Sequence, residues 1–352
     1  MLFGLVRSAL GHRLHIMPRP TFVTFFVTWR CNCRCIFCDI WRKSSSARDE
    51  LDVQQIANIF RQLGRLDCLR LSGGEPFLRS DLAEIINALD KINQPGIVHI
   101  TSNGLMTDRI VEIMRRIARP RRIHLKLSID DTGDKHDTVR GVSGAYAQVI
   151  QTVEKLAPLR HEMGFHLGIN QAIISEEHAG AYRRLKDAMA PYGVPIYPVI
   201  AHNGGNGLYG ADGKVSDIAY HTYADFSRDC LESLLDEFLR DSRAINSFAE
   251  SVVDRYYLRG LRNRLVCGKS SPNPHCVALR NHLRLLPNGD VPVCFFNGKV
   301  VGNMHRQAPA DLWRSAEVNK AREWVDNCPG CWESCEVIPS AAYTGDLWKG
   351  LL

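Results

Sequence analysis

The chain has 352 residues, 45% of them hydrophobic and 23% charged, with 27 glycines and 16 prolines. This is globular composition, and it excludes disordered, collagen-like and low-complexity readings. The formal charge of +6 is spread along the chain rather than gathered in a tail, so it favours anionic ligands only weakly and gives no reason to expect nucleic acid as a partner.

Residues 1–20 lack the early basic region, long apolar core and small-residue cleavage site of a secretory signal. Phe3, Val6 and Leu10 fall on one face of a short helix, expected to pack against the body of the protein. No apolar stretch approaches the ~18 residues of a membrane span, so no transmembrane segment and a cytoplasmic location are expected. From Thr21 to about Ile200, short β-rich runs alternate with helically periodic segments, the pattern of parallel βα units. The predicted strands are Thr21 to Thr28, Cys68 to Ser72, Ile97 to Thr101, Arg122 to Ser128, His166 to Ile174 and Pro195 to Ile200. Between them, Val53, Ile56, Ile59, Phe60 and Leu63 recur at helical spacing behind a capping box of Asp52 and Gln55, and Leu82, Ile85, Ile86, Leu89 and Ile92 repeat that spacing. Such units curl into a barrel or an open doubly wound sheet, and in both the active site lies at the strands' C-terminal ends. The glycine-rich stretch His202 to Gly213 breaks the pattern. Beyond it a helical stripe runs from Tyr223 to Leu239, a second helix is predicted over Ala244 to Leu261, and His282 to Cys294 reads as a β-hairpin around a Pro287-Asn288-Gly289 turn.

Without a secretory signal, the 12 cysteines read as metal ligands or free thiols rather than a disulfide framework. They fall in two groups far apart in the chain, which suggests two metal sites. Cys31-x-x-x-Cys35-x-x-Cys38 offers three thiolates in one tight loop directly after the first strand. Three thiolates on a [4Fe–4S] cube leave one iron open for a substrate or cofactor, whereas structural zinc wants four closed ligands. Cys33 lies between them, and a four-thiolate zinc site including it stays open on spacing alone.

Cys31-Asn-Cys-Arg-Cys35-Ile-Phe37-Cys38, then Leu71-Ser-Gly73-Gly74-Glu75-Pro76 at the end of the next strand, resembles the radical S-adenosylmethionine (radical SAM) superfamily. The resemblance continues through Thr101-Ser-Asn103-Gly104, Ser128-Ile-Asp130-Asp131 and His136-Asp-Thr-Val-Arg140-Gly141 and covers roughly residues 21 to 200. It implies an α/β fold, a partial (β/α)6 TIM-like barrel, with the cluster on Cys31, Cys35 and Cys38 at its mouth and Cys33 a spectator. S-adenosylmethionine would bind the open iron through its amino and carboxylate groups and yield a 5′-deoxyadenosyl radical after one-electron reduction. The resemblance assigns Gly73, Gly74, Glu75 and Pro76 to its methionine ammonium, Phe37 to the adenine, and Asn103, Ser128 and Asp130 to ribose hydroxyls or methionine polar groups. Arg140 would pair with the methionine carboxylate, and Gly168, Asn170 and Gln171 would lie near the adenosine. Glycines at a strand end suit close approach of backbone to ligand, and a carboxylate suits an ammonium.

Cys276, Gly289 and Cys294, followed by Cys328-Pro-Gly-Cys331-Trp-Glu-Ser-Cys335, resemble the auxiliary-cluster extension SPASM or its shorter form, Twitch. The short form fits better and implies one auxiliary [4Fe–4S] cluster, with Cys276 and Cys294 joined by two of Cys328, Cys331 and Cys335, and with Cys267 as a sixth candidate. A zinc knuckle on the same residues is the alternative. The chain then divides into an N-terminal segment 1–20, a core barrel 21–213, a helical connection 214–264 and an auxiliary-cluster domain 265–352 with helices and a small hairpin. The resemblance implies a reductant such as flavodoxin or ferredoxin and hydrogen abstraction from a peptide or protein. The same chemistry on a small polar metabolite, such as an aminosugar or nucleoside, stays open, as does a non-catalytic zinc-binding interaction protein. Nothing before Thr21 is long enough for the winged-helix module that holds leader peptides in many peptide-modifying relatives. Tyr197, His202 and Asn203 follow or end the sixth strand at the active-site face and are the first candidates for substrate contact.

Overall fold

All seven residues of β1 (Phe22–Thr28) are buried, as a strand paired on both edges and covered on both faces must be. The computed structural model describes residues 19–43, 47–201, 208, 226–245 and 248–347. β1 pairs in parallel with β2 (Cys68–Gly73) on one side and with β7 (His282–Leu285) on the other. Past β2 the sheet continues through β3 (Ile97–Ser102), β4 (Ile123–Ser128), β5 (His166–Ile173) and β6 (Ile196–Ile200). The seven strands run in the order β6-β5-β4-β3-β2-β1-β7. β6 and β7 are the two edges and do not pair with each other, so the barrel is partial.

Helix α1 (Val53–Leu63) begins with the predicted capping box. Gln55 N–H donates to Asp52 Oδ1 at 2.8 Å, and Asp52 N–H donates to Gln55 Oε1 at 2.9 Å. Its face of Ile56, Ile59, Phe60 and Leu63 is buried in the main core. α2 (Leu82–Asn93), α3 (Thr107–Arg115), the pair α4 (Gly133–Arg140) and α5 (Ala145–Met163), and α6 (Ala181–Met189) supply the remaining crossovers. Each helix returns the chain to start a parallel strand, so all the strand C-termini emerge at one end.

Helices α7 (Arg228–Ile245) and α8 (Phe248–Leu265) follow, in the two stretches where the pattern predicts helices. Leu231, Leu234, Leu235 and Phe238 of α7 form a second core with Ile173, Tyr182, Tyr256 and Trp332. The predicted hairpin over His282 to Cys294 is corrected. Its turn forms, with Gly289 at φ +90° and its N–H bonded to Leu286 O at 2.9 Å. All four residues of β7 are buried, however, which a place beside β1 allows and an exposed two-stranded hairpin does not. β8 (Asp290–Pro292) pairs instead with β9 (Val300–Asn303), antiparallel. α9 (Pro309–Arg314), α10 (Ala316–Asp326) and α11 (Ser334–Thr344) complete the C-terminal region. Phe3, Val6, Leu10, Tyr223 and nearly all of the glycine-rich stretch lie outside the described residues. Among the described residues no helix is long and apolar enough to cross a membrane.

Candidate functional site

The cysteine loop after β1 is held from two sides. Arg34 N–H donates to Arg140 O at 2.9 Å and Ile36 N–H to Val139 O at 3.0 Å, which uses carbonyls that the end of α4 leaves unpaired. On the other side Gly74 N–H donates to Thr28 O and Glu75 N–H to Arg30 O, both at 2.8 Å. A Cβ on Gly73 would stand 2.1 Å from Thr28 O, and one on Gly74 would stand 2.1 Å from Arg30 O. The two glycines are therefore required by the approach of the loop's own backbone, rather than by ligand approach alone as the sequence suggests.

Cys31, Cys35 and Cys38 line one cavity of about 420 Å³ at the strand C-termini. Cys33 is 2% exposed, and its thiol lies between those of Cys31 and Cys35. Contact with Cys33 draws Cys35 down to about 6 against burial, helped by the Arg140 guanidinium, and Cys31 is lowered first by the same neighbour. Burial pushes Cys38 up to about 12. Cys35 is thus drawn toward the thiolate and Cys31 is shifted in the same direction, and a metal centre would draw off the protons that remain. Among the described residues no three or more His, Cys, Asp or Glu side chains converge at single-ion spacing, which for tetrahedral zinc would bring the sulfurs within about 4 Å of one another.

Gly73, Gly74 and Asn103 line the same cavity, as do Phe37, Ser128, Asp130, Arg140, Asn170 and Gln171 from the facing elements. Gln171 Nε2 donates to Asp130 O at 2.9 Å, while the buried Gln171 Oε1 has no partner. An orphaned buried acceptor on a cavity wall fits a ligand that brings a hydroxyl or ammonium donor. Four expected ligand contacts, Glu75, Asn103, Asp130 and Arg140, also have partners within the chain. Glu75, 1% exposed, accepts from Phe77 N–H at 3.0 Å and Ser102 Oγ at 2.9 Å through Oε1, and from Asn103 N–H at 2.7 Å through Oε2. Burial raises its pKa to about 7 against these bonds. Pro76 is buried behind it at the start of a short helical turn. The Asn103 amide donates to Asn32 Oδ1 at 2.6 Å, tying the end of β3 to the cysteine loop. Asp130 and Arg140 form a buried ion pair at 2.8 Å, and Arg140 Nη1 reaches Cys35 Sγ at 3.7 Å.

Of the substrate candidates, Tyr197 does not line this cavity. It lines a separate one between β6 and helices α7 and α8. His202 and Asn203 lie outside the described residues.

The C-terminal cysteines separate into two sets. Cys276, Cys294, Cys328 and Cys331 line one small apolar cavity, whereas Cys335 lines the large one beside Ser334 and Phe295. Burial, then Glu336, raises Cys276 to about 12 and raises Cys294 and Cys331 as well, and mutual repulsion among these thiols adds to the rise. Around Cys335 the charges are different: burial, Glu333 and Glu336 raise it, and Arg284 and Arg70 oppose them. Glu336 pairs with Arg284, both buried, and accepts from Phe295 N–H at 3.0 Å. Burial opposes its charge, but Arg284 holds it down at about 2. His282 Nε2 meets Thr24 Oγ1 at 2.9 Å, which links this region to β1. The sequence pattern alone does not disclose this buried network, because its members come from β1, β7 and α11.

A family model for the radical SAM superfamily matches residues 26–173, and one for the iron–sulfur cluster-binding domain SPASM matches residues 276–336. A PqqA peptide cyclase from Granulibacter bethesdensis is 22% identical over 346 residues, 91% of this chain and 83% of that protein. A probable GTP 3′,8-cyclase from Archaeoglobus fulgidus is 29% identical over 158 residues, 43% of this chain and 51% of that protein. This chain thus spans about half the length of the first curated relatives it matches. In fold it resembles Streptococcus suis SuiB bound to precursor peptide SuiA, with a TM-score of 0.60 at 17% identity, over 90% of this chain and 69% of that one. With the three-cysteine loop at the mouth of a partial barrel, these matches lead to one conclusion: residues 26–173 form a radical SAM domain, of the superfamily whose cofactors are a [4Fe–4S] cluster and S-adenosylmethionine, and residues 276–336 form a SPASM-type iron–sulfur cluster-binding domain.

Proposed function

We propose that this chain abstracts hydrogen from a peptide or protein substrate. When bound, the [4Fe–4S] cluster and S-adenosylmethionine supply one-electron cleavage to a 5′-deoxyadenosyl radical. Cys31, Cys35 and Cys38 would hold the cluster, leaving one iron open. The carbonyls of Gly73 and Gly74 and the remaining acceptor position on Glu75 Oε2 would receive the methionine ammonium. Arg140, anchored by Asp130, would meet the carboxylate. Ser128, Asn170 and the unpartnered Gln171 Oε1 would take the ribose hydroxyls, and Phe37 would flank the adenine. Asn103 acts one step back, by fixing the loop through Asn32.

Cys276, Cys294, Cys328 and Cys331 would hold one auxiliary cluster with four protein ligands, suited to passing an electron rather than to binding substrate. Cys335 is left out of that set. The core 21–213 and the cluster domain 265–352 would thus share one cavity, because Cys335 and Phe295 line it together with the first cysteine loop. A reductant of the flavodoxin or ferredoxin kind would supply the electron, in a cytoplasmic setting.

One observation carries the peptide reading. The similarity to a peptide cyclase runs over 91% of the chain, whereas the similarity to a GTP cyclase stops at 43%. The test uses an extract of the source cells grown in deuterated medium, divided into a peptide fraction and a small-metabolite fraction. The reconstituted chain should form deuterium-labelled 5′-deoxyadenosine with the peptide fraction, and protease treatment of that fraction should abolish the label. Label drawn from the metabolite fraction and indifferent to protease would overturn the reading in favour of a small substrate.

A further inference from the structure

The interior of the barrel beneath the cofactor level is basic. Arg70 precedes Ser72 by two residues on β2, and Lys126 precedes Ser128 by two on β4, so each pair faces the same side of the sheet. All four line the large cavity, and the two cations lie about 7 Å deeper along their strands than the serines. The register sets Arg70 beside His99, His99 beside His124 and His124 beside His166. Ring centroids along this row are 5.2 and 4.8 Å apart, which packs the imidazoles across the barrel floor.

Both cations are positioned. The Lys126 ammonium lies 3.7 Å from the centre of the Tyr197 ring. That ring is fixed by a hydrogen bond between its hydroxyl and His166 Nε2 at 3.0 Å. Gly168 makes the seat, since a Cβ there would stand 2.7 Å from the ring. The Arg70 guanidinium lies 5.3 Å from the centre of the Phe22 ring and forms no ion pair or hydrogen bond with a described residue.

Among the described residues neither carboxylate on the cavity wall, Asp130 or Glu333, forms an ion pair with Arg70. Asp130 is committed to Arg140 and to Ala172 N–H at 3.0 Å, and Glu333 belongs to the loop before α11, where Ser334 Oγ donates to it at 3.3 Å. Burial, then the charges of Arg70 and Lys126, hold His99 well below its usual pKa, so that ring stays neutral. A half-buried guanidinium on a cavity wall with no ion pair among the described residues is open to an anion that a ligand brings. We infer that Arg70 and Lys126 receive a carboxylate of the substrate, the side chain of an Asp or Glu in the peptide, and thereby fix which residue is presented to the cofactor level above. A planar guanidinium matches a carboxylate in geometry and sign, and the ammonium on the same cavity wall adds to the attraction. This inference rests on the peptide reading and names the acidic residue that the reading leaves open.

The test is ligand-observed NMR with the full chain, reconstituted without air and loaded with S-adenosylmethionine so that Arg140 is engaged. The probes are N-acetylglutamate α-amide, N-acetylglutamine α-amide and inorganic phosphate. The glutamate probe should bind, with the glutamine probe and phosphate each at least about tenfold weaker, a factor worth about 1.4 kcal/mol. R70Q and K126Q should each weaken the glutamate probe by a similar factor, while R70K keeps most of the binding. Iron content and circular dichroism establish that each variant is folded, and if R70Q is not, K126Q and R70K decide the matter. Equal binding of the glutamate and glutamine probes, indifference to the substitutions, or preference for phosphate would overturn the inference. Formation of 5′-deoxyadenosine by the unmodified chain is read in parallel. Its absence overturns the proposed function, whereas a normal yield with the wrong binding pattern overturns only the carboxylate site.

Discussion

Arg140 Nε stands 2.8 Å from Asp130 Oδ2, with both residues buried, and the same guanidinium reaches Cys35 Sγ at 3.7 Å. One side chain thus couples the end of β4 to the cysteine loop. Removing one partner of a buried pair leaves an uncompensated charge, at about 3–5 kcal/mol. R140Q should lose stability on that scale, and D130N/R140Q should recover part of it. Chemical denaturation of the two variants checks this, and equal losses in both would show that the pair is not coupled.

Glu75 gives a pH dependence with a definite sign. Burial raises its pKa from 4.5 to about 7, so the folded chain holds the proton more tightly than the unfolded one. The stability it contributes is full below pH about 4.5 and is lost as pH rises toward about 7. In the chain without S-adenosylmethionine, the unfolding free energy should fall across that window by a few kcal/mol. E75Q should flatten the slope. An identical slope in E75Q would assign the effect to another group.

The two cysteine groups should behave independently. C31A/C35A/C38A should lose about four irons per chain and all cleavage of S-adenosylmethionine, yet keep the C-terminal iron. C33A should keep both. Iron analysis and electron paramagnetic resonance read the outcome, and loss of the first cluster in C33A would mean that the ligand set is wrong.

Within the C-terminal group, replacing Cys276, Cys294, Cys328 or Cys331 by Ala should remove or destabilise the auxiliary cluster, whereas C335A should retain it. In the C31A/C35A/C38A background the remaining iron reports this site alone. Iron loss in C335A equal to that in C328A would place Cys335 among the ligands.

Much of this architecture is legible in the chain because local signals and tertiary packing agree. The six barrel strands lie within one residue of their predicted limits, since each is bounded by turn residues and a periodic helix. The Asp52–Gln55 cap is a local motif and forms as written. The hairpin expectation fails for a non-local reason: His282 to Leu285 has a turn beside it, but the open edge of β1 offers both pairing and burial. The interior cations are also written in the sequence, as the alternation of Cys68-Leu-Arg70-Leu-Ser72 and His124-Leu-Lys126-Leu-Ser128. Their meaning depends on knowing that the polar face points into a barrel. Nor does spacing separate Cys335 from Cys331, because the helix that begins between them turns one thiol toward the large cavity.

The central claim is an iron–sulfur cluster on Cys31, Cys35 and Cys38 with one iron open to S-adenosylmethionine. It is tested most directly by the paramagnetic resonance of the dithionite-reduced chain, recorded before and after S-adenosylmethionine is added. A [4Fe–4S] signal that changes shape on addition and is absent from C31A/C35A/C38A is the expected result. A signal unmoved by S-adenosylmethionine, or one that survives loss of those three thiols unchanged, would contradict it.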